Sequence, residues 1–269
     1  MRQITFGFIG CGNMGGALLE AVAQSVDAAC ISICDQSIEK LEYYQSKLGV
    51  HAVEIEKVIS DCDFIFLGVK PQSYPALFDS IRPMLANRTE LPILISMAAG
   101  ISISAVASIA GINCGIIRIM PNTPVSVGEG MILYTCNEAV SDQNLETFLN
   151  AMKKAGMLDS IPEDKIDAAS ALSGCGPAFV FMFAEALADG AVECGLPRDR
   201  AMLYASQTLL GAAKLMLESG KHPGELKDAV CSPGGTTIAG VHSIENGGLR
   251  SCAMDAVNAS YRRTLELKK

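Results

Sequence analysis

The feature that most constrains the fold of this 269-residue chain is a glycine-rich turn near its beginning. The motif G-C-G-N-M-G lies directly after an apolar run and directly before a stretch with helical spacing. In such a strand–turn–helix, Gly10 permits the tight turn, Gly12 lets a pyrophosphate approach the backbone, and Gly15 allows close packing. The helix N-terminus then holds the anion. The motif therefore predicts a dinucleotide site that includes Asn13 and Met14, against the simpler alternative of an ordinary strand–helix turn.

Short apolar runs alternate with helical stretches through residue 162. Strands are predicted at Ile4–Ile9, Cys30–Cys34, Phe64–Val69, Ile93–Ser96, Cys114–Ile119, Gly130–Tyr134 and Met157–Ile161, and helices at Asn13–Gln24, Ile38–Leu48, Tyr74–Leu85, Ile103–Ile109 and Asn144–Ala155. The main strands are apolar on both sides of the pleat, which is typical of a parallel sheet covered by helices. We therefore predict an α/β Rossmann-like N-terminal domain over residues 1–162.

The pattern changes after Pro162, and no strand is predicted in residues 163–269. The predicted helices are Gly176–Cys194, Arg198–Ser219, Thr237–Ile244 and Leu249–Leu267. The segment Ala178–Ala188 is apolar around most of its circumference, and a helix of this kind has to be buried on all sides. So small a region has little interior, so we predict burial against a second subunit. The second domain is accordingly an all-α C-terminal dimerisation domain over residues 163–269.

Composition limits the classes of partner. The net charge is −8, which argues against nucleic acid because a basic face supplies most of that affinity. The chain has no uninterrupted apolar run of about 18 residues, so no membrane span is expected. The ten cysteines are scattered without a C-x-x-C pair, and no signal peptide is evident, which indicates reduced thiols in a cytoplasm. The three histidines lack metal-ligand spacing, so no metal site is expected.

Four further residues are candidates for the cofactor site because they follow predicted strands, whose carboxyl ends face the ligand crevice. Asp35 can bind the 2′-hydroxyl of the adenosine ribose and repel a 2′-phosphate, which favours NADH over NADPH, unless it merely caps the next helix. Lys70 and Pro71 close another strand, although a solvated lysine is an equally simple interpretation. Asn122, in the motif M-P-N-T-P, offers hydrogen bonds near the expected nicotinamide position, or belongs to a rigid turn.

The segment S-P-G-G-T-T precedes a predicted short helix and is the candidate substrate site. Its glycines expose backbone N–H groups, and a helix beginning favours anions. The residues that would hold a substrate carboxylate are Ser232, Gly234, Gly235, Thr236 and Thr237. As a bare pattern, an ordinary capped helix start is the commoner explanation of such a segment.

Taken together, the motifs resemble those of the pyrroline-5-carboxylate reductase family over nearly the whole chain and in the family's order. The matching segments are F-I-G-C-G-N-M-G at 8–15, V-K-P at 69–71, M-P-N-T-P at 120–124, L-S-G-C-G-P-A at 172–178 and E-L-K-D-A-V-C-S-P-G-G-T-T at 225–237. Two positions depart from the family pattern. Cys175 lies where the family often has serine, which removes a hydroxyl near the expected substrate site. Asp35 replaces the small or basic residue often found in NADPH-using members.

The resemblance implies the final step of proline biosynthesis, the reduction of 1-pyrroline-5-carboxylate to L-proline by NAD(P)H. It implies a homodimer, or a higher oligomer built of dimers, in which the Ser232–Thr237 loop and Thr237 orient the substrate carboxylate. The protonated cyclic imine is already an electrophile and becomes a neutral amine after hydride transfer, so no dedicated acid is required. We therefore expect orientation of two ligands and exclusion of water to be the protein's main tasks.

Two other functions remain open from the residues alone. A hydroxyacid dehydrogenase of the 3-hydroxyisobutyrate type shares the layout and uses a helical lysine, for which Lys214 is a candidate without the usual glycine pattern. A non-catalytic dinucleotide sensor is the second alternative. The S-P-G-G-T-T loop argues against the sensor, whereas Cys175 leaves it open.

Overall fold

The computed structural model describes residues 3–267, which form two compact units. Residues 3–174 and 261–267 belong to the first unit, and Cys175–Ser260 form the second. The strands are β1 Phe6–Ile9, β2 Ile31–Cys34, β3 His51–Ala52, β4 Phe64–Leu67, β5 Ile93–Ser96, β6 Ile116–Met120, β7 Gly130–Cys136 and β8 Gly156–Ser160. The helices of the first unit are α1 Asn13–Val22, α2 Ile38–Leu48, α3 Ile55–Asp61, α4 Tyr74–Ala86, α5 Ile103–Ala110, α6 Asp142–Met152 and α7 Ile166–Ser173.

The eight strands form one sheet in the order β3-β2-β1-β4-β5-β6-β7-β8. Neighbouring strands are parallel except for β6 and β7, which run antiparallel. The segment between Met120 and Gly130 is too short for the helical crossover that a parallel return requires, so the chain reverses there. The Rossmann-like prediction is confirmed, with this one reversal that the apolar pattern did not reveal.

The sheet is buried on both faces by helices. Phe8 and Phe66 stack on one face, with ring centroids 4.3 Å apart, beside α1 and α6. On the other face, Ile65 packs with Tyr74 and Phe78 of α4. Because successive strand residues point to opposite faces, such a sheet needs apolar residues at every position, as β1 and β4 have.

Four short elements lie outside the sequence prediction, namely β3, α3, α7 and, in the second unit, α10 (Pro223–Val230). The two residues of β3 and the seven or eight of each helix are too few to show a period in a window of 11–18 residues. α7 clusters with the sheet in the first unit. The boundary between residues 162 and 163 remains a prediction about domain organisation.

The second unit is built of helices only, within the part of the chain that the structure describes. Its helices are α8 Gly176–Glu193, α9 Arg198–Ser219, α10 Pro223–Val230, α11 Thr236–Asn246 and most of α12 Leu249–Leu267. α8 and α9 pack through the small side chains Ala188, Ala201 and Ala205. The helical prediction for this region is confirmed.

Candidate dinucleotide and substrate sites

The glycine-rich turn joins β1 to α1 and is shaped around one carbonyl group. Gly10 has φ +96°, a conformation that side chains disfavour. A Cβ on Gly15 or on Gly68 would lie 2.2 Å from the Gly10 oxygen, so both positions require hydrogen there. By contrast, a Cβ on Gly12 would meet nothing within 4 Å. Gly12 is the N-cap of α1 and supplies no capping side chain, so the first-turn N–H groups face an open cradle that suits a pyrophosphate.

Asp35 lies immediately after β2, beside this turn, and its side chain is mostly buried. Its Oδ2 accepts a 2.6 Å hydrogen bond from the Cys11 N–H, and its Oδ1 accepts one of 2.9 Å from the Ser37 N–H. The Lys40 ammonium lies 3.8 Å from Oδ1. The N-cap of α2 is Ser37, whose hydroxyl accepts from the Lys40 N–H, so the interpretation of Asp35 as the helix cap is wrong. The carboxylate therefore joins the glycine turn to the start of α2.

A cavity of about 260 Å³ lies beside Asp35 and the glycine turn. It is lined by Cys11, Gly12, Asn13, Glu39, Lys40, Tyr43 and Tyr44. Burial, followed by the nearby Asp35 carboxylate, raises the pKa of the Cys11 thiol to about 12, so this cysteine stays neutral. The cavity thus offers one cation, Lys40, one exposed carboxylate, Glu39, and the two aromatic rings of Tyr43 and Tyr44.

Lys70 and Pro71 follow β4, and Lys70 is exposed. The next element, α4, begins at Tyr74, which is fully buried. The Tyr74 hydroxyl lies 3.3 Å from the Leu67 carbonyl oxygen and 3.1 Å from the Ser96 hydroxyl, and thus joins the carboxyl ends of β4 and β5. Burial raises the pKa of Tyr74 to about 12. Sequence reasoning missed this tyrosine because its partners are distant along the chain.

Asn122 follows β6 and is buried, with both ends of its amide in use. Its Oδ1 accepts from the Met131 N–H at 2.9 Å, and its Nδ2 donates to the Ser173 carbonyl oxygen at 2.9 Å. The adjoining 3₁₀ turn, Thr123–Val127, packs against α1. The structure therefore places Asn122 at the predicted sheet edge and also gives it a structural task that the motif did not suggest.

The candidate cofactor residues are consequently brought together. They lie in the turns that follow β2, β1, β4 and β6. These strands are parallel and are close together in the sheet, in the order β2-β1-β4-β5-β6, so their carboxyl ends lie along one edge. Ligands of open α/β sheets bind at this edge. Gly10, Gly12, Asn13, Met14, Gly15, Asp35, Lys70, Pro71 and Asn122 all belong to these turns or to the helix starts beside them.

In the helical unit, the S-P-G-G-T-T segment forms a turn that leads into α11. Gly235 is the N-cap, and its N–H donates to the Ser232 carbonyl oxygen at 3.0 Å. Gly234 has φ +66°, which glycine adopts without strain. Thr236 and Thr237 form the first turn of α11, which has no side-chain cap among the described residues. This exposed, uncapped helix start has the geometry of an anion site. Cys175 is the N-cap residue of α8.

Two other expectations concern metals and the rival lysine. Among residues 3–267, no cluster of His, Cys, Asp and Glu has the arrangement of a metal site. Lys214 is exposed on α9, with its ammonium 3.7 Å from Glu218. This is the environment of a solvated surface lysine.

Comparisons with known proteins bear on both units. Residues 163–267 match the family described as "Pyrroline-5-carboxylate reductase dimerisation", and residues 5–100 match the family described as "NADP oxidoreductase coenzyme F420-dependent". The chain is 41% identical to pyrroline-5-carboxylate reductase 3 of Danio rerio, with 98% of this chain and 92% of that protein covered. It is 39% identical to the pyrroline-5-carboxylate reductase of Escherichia coli (strain K12), with 98% of each covered.

Solved structures of similar proteins extend over the same length. A pyrroline-5-carboxylate reductase from Coxiella burnetii superposes with a TM-score of 0.91 at 32% identity, covering 100% of both chains. A Plasmodium falciparum pyrroline carboxylate reductase with NADP bound superposes with a TM-score of 0.87 at 30% identity, again covering 100% of both. Identity at this level over the full length, together with the glycine turn and the S-P-G-G-T-T helix start, shows that the chain belongs to the pyrroline-5-carboxylate reductase family.

Proposed function

We propose that the protein reduces 1-pyrroline-5-carboxylate to L-proline with NAD(P)H, the last step of proline biosynthesis. One observation carries this proposal: in a chain of this family, two helices begin after a glycine N-cap and have no side-chain cap. The start of α1 at Gly12 is open for a pyrophosphate, and the start of α11 at Gly235 suits a carboxylate. The substrate and the cofactor each carry one of these anions.

The chain's residues act by binding and orientation. When bound, the reduced nicotinamide would supply a hydride to the C=N carbon of the protonated cyclic imine, the carbon that becomes Cδ of proline. The backbone N–H groups after Gly12 hold the dinucleotide, while Thr237 and its neighbours at the start of α11 hold the substrate carboxylate. The iminium nitrogen becomes a neutral amine as it accepts the electron pair of the C=N bond, so no side chain has to donate a proton in this step. Orientation of this kind can lower the activation free energy by several kcal/mol.

Two parallel assays separate this proposal from its rivals. NADH and NADPH oxidation is followed at 340 nm with pyrroline-5-carboxylate, and NAD reduction is followed with 3-hydroxyisobutyrate. We expect turnover in the first assay only. Turnover with the hydroxyacid alone would identify a dehydrogenase, and NADH binding without turnover in either assay would identify a sensor.

We further propose that NADH is preferred over NADPH. The carboxylate of Asp35 is fixed by the N–H groups of Cys11 and Ser37, so it cannot swing away from a 2′-phosphate without breaking two hydrogen bonds. Glu39, which lines the adjacent cavity, adds a second negative charge. Lys40 offers a counter-charge but is already paired with Asp35. Two carboxylates against one cation disfavour a dianionic phosphate.

The Asp35→Ser variant tests this preference, because it removes the charge while keeping an acceptor. We expect the ratio of kcat/KM for NADH to that for NADPH to fall by at least about tenfold, which corresponds to about 1.4 kcal/mol. Asp27→Ser is the matched control, since Asp27 also accepts from a backbone N–H two residues on, but at a distant turn. An unchanged ratio in Asp35→Ser would remove Asp35 from selectivity.

We also propose that the protein is a cytoplasmic homodimer, or an oligomer of dimers. α8 exposes the large apolar side chains of Val180, Phe181 and Met182 in the single chain, and exposed apolar surface of this kind marks an interaction surface. The stretch Glu163–Glu193 is long and apolar enough to cross a membrane by length and composition, with 17% of its most apolar window buried. The match to a dimerisation family favours a second subunit over lipid. All ten cysteines are free thiols, as a reducing cytoplasm allows.

Sedimentation without detergent tests this assembly. We expect a dimer or larger species at micromolar concentration for the wild type, and a shift towards monomer for Phe181→Asp, because a buried unpaired charge at an interface is strongly unfavourable. Ile38→Asp is the control, since Ile38 is equally exposed but lies on α2. A monomeric wild type, or partition into lipid vesicles, would contradict the proposal.

A further inference from the structure

α7 is held at both ends by residues of β6 or immediately after it. At its beginning, the buried Arg118 of β6 donates to Asp167 Oδ1 at 3.3 Å and to Glu163 Oε1 at 3.0 Å, in the 3₁₀ turn that leads into α7. Glu163 Oε1 also accepts from the Ile103 N–H at the start of α5, at 2.7 Å. At its end, the Ser173 carbonyl oxygen accepts from Asn122. Arg118 and Asn122 are only four residues apart.

The middle of the helix adds a small apolar contact. Ile166 is fully buried against Met120, the last residue of β6, and Leu133 of β7. α7 is only eight residues long, and an isolated helix of that length is unstable in water. Contacts with neighbouring elements therefore hold it in place, among them the buried Arg118–Asp167 pair and the partly buried bond from Asn122 to Ser173.

The two ends of this arrangement lead to the two candidate ligand sites. β6 continues into the M-P-N-T-P segment at the carboxyl edge of the sheet, and α7 continues through Ser173 into Cys175 and the helical unit. The Asn122 amide bonds three backbone segments at once, its own, the Met131 strand and the end of α7. A residue with these bonds fixes the end of α7 against the sheet of the first unit.

We propose that Asn122 is a positioning residue for the reaction, acting by fixing the end of α7 rather than primarily by contacting the nicotinamide. This inference rests on the proposed reduction of pyrroline-5-carboxylate. If Asn122 acts in this way, its loss disturbs the placement of the imino acid and leaves the dinucleotide cradle at Gly12 intact. A cofactor ligand would behave in the opposite way.

The Asn122→Asp variant removes the Nδ2 donor and keeps the acceptor for Met131. The chain offers a matched control in Asn137, at the opposite end of the same strand pair, whose Oδ1 accepts from the Ile116 N–H and whose Nδ2 donates to the Cys114 carbonyl oxygen at 3.0 Å. Asn137→Asp makes the same chemical change away from α7. Each variant is measured for kcat and KM with pyrroline-5-carboxylate, for NADH Kd by calorimetry, and for melting temperature.

We expect Asn122→Asp to lower kcat/KM for pyrroline-5-carboxylate by at least about tenfold, with an NADH Kd within about threefold of wild type. Asn137→Asp should lose similar thermal stability while its kcat/KM stays within about twofold of wild type. The proposal is overturned if NADH affinity falls in parallel with kcat/KM, if the two variants have equal kinetics, or if Asn122→Asp retains wild-type kinetics.

Two further measurements keep the inference testable if Asn122→Asp does not fold or if the wild type does not reduce the imine. Glu163→Gln weakens the ion pair with Arg118 at the beginning of α7, where the Glu163 carboxylate is partly exposed. This variant must also lower kcat/KM for pyrroline-5-carboxylate. Amide hydrogen exchange across residues 166–175 must be faster in Asn122→Asp or Glu163→Gln than in Asn137→Asp. Unchanged exchange would sink the positioning role, whereas an inactive wild type with faster exchange in the variants would instead sink the proposed reaction.

Discussion

The glycine-rich turn allows one prediction in which binding and folding separate at neighbouring residues. Gly12 has φ −70° and ψ −169°, which alanine adopts without strain, and a Cβ there would meet no protein atom within 4 Å. Replacing a glycine N-cap by alanine costs about 0.5–1 kcal/mol of helix stability. The reduced freedom of the unfolded chain offsets about 0.4–1 kcal/mol. Gly12→Ala should therefore change the free energy of unfolding by less than about 1 kcal/mol, the net of these two effects.

The same Cβ occupies the space that the pyrophosphate needs, so the cost appears on binding. We expect Gly12→Ala to weaken NADH by at least about tenfold in Kd, equal to about 1.4 kcal/mol. Gly15→Ala should behave differently, because its Cβ would lie 2.2 Å from the Gly10 carbonyl oxygen, far inside ordinary contact distance. Moving that backbone should cost about 1–3 kcal/mol or more in stability.

Thermal melting by circular dichroism and NADH calorimetry measure both quantities, and the two variants serve as controls for each other. For a chain of this size about 1 kcal/mol corresponds to roughly 2–4 °C in Tm, so the expected difference is resolvable. Wild-type NADH affinity in Gly12→Ala would refute the inference that the pyrophosphate lies against Gly12. Equal loss of stability in Gly12→Ala and Gly15→Ala would refute the inference that the space beside Gly12 is open.

Two other outcomes are expected. Thr237→Ala should lower kcat/KM for pyrroline-5-carboxylate by at least about tenfold, because the hydroxyl at the start of α11 orients the carboxylate, and near-normal kinetics would remove Thr237 from the site. Stability should fall at alkaline pH: burial raises the folded-state pKa of Cys11 and of Tyr74 to about 12, above the ordinary values of 9.0 and 10.0, so the unfolded chain releases these protons first. The stability present below about pH 9 is then lost towards pH 12, and a double variant Cys11→Ala, Tyr74→Phe should show a shallower fall of Tm between these limits. An identical slope in the double variant would contradict this account.

The sequence predicted best where one element carries its own signal. The strands of the sheet other than β3, and the long helices α2, α8 and α9, repeat an apolar pattern often enough to be recognised, and the glycine motif has a local geometric cause. α7 has no such signal because it is short, and its position depends on Arg118 and Asn122, which are about 50 residues away along the chain. Long-range polar pairs of this kind leave no spacing in the sequence.

Residue type alone also could not show whether a polar residue binds a ligand or supports the backbone around the site. In the sequence, Asn122 and Asp35 are simply polar residues after strands, where ligands bind. The structure shows that each already bonds two backbone groups, so each has a structural role whether or not it touches a ligand. The carboxylate of Asp35 can still act on the cofactor through its charge, whereas the neutral amide of Asn122 has only its geometry to offer.

The residue at the N-cap of a helix indicates whether the first-turn N–H groups are free to bind an anion, and this residue can be read from the sequence. α2, α5 and α6 begin at Ser37, Ser102 and Ser141, whose hydroxyls accept from first-turn N–H groups at 3.2–3.4 Å. These donors are already bonded and have little to offer an anion. α1 and α11 begin at Gly12 and Gly235, which have no side chain to accept the bond or to block an approaching ligand. A glycine where the chain elsewhere uses serine leaves first-turn N–H groups without a side-chain partner. This costs only about a few tenths of a kcal/mol in helix stability, which an incoming phosphate or carboxylate can offset. The glycine motif and the S-P-G-G-T-T motif therefore both end at a helix beginning that an anionic ligand can complete.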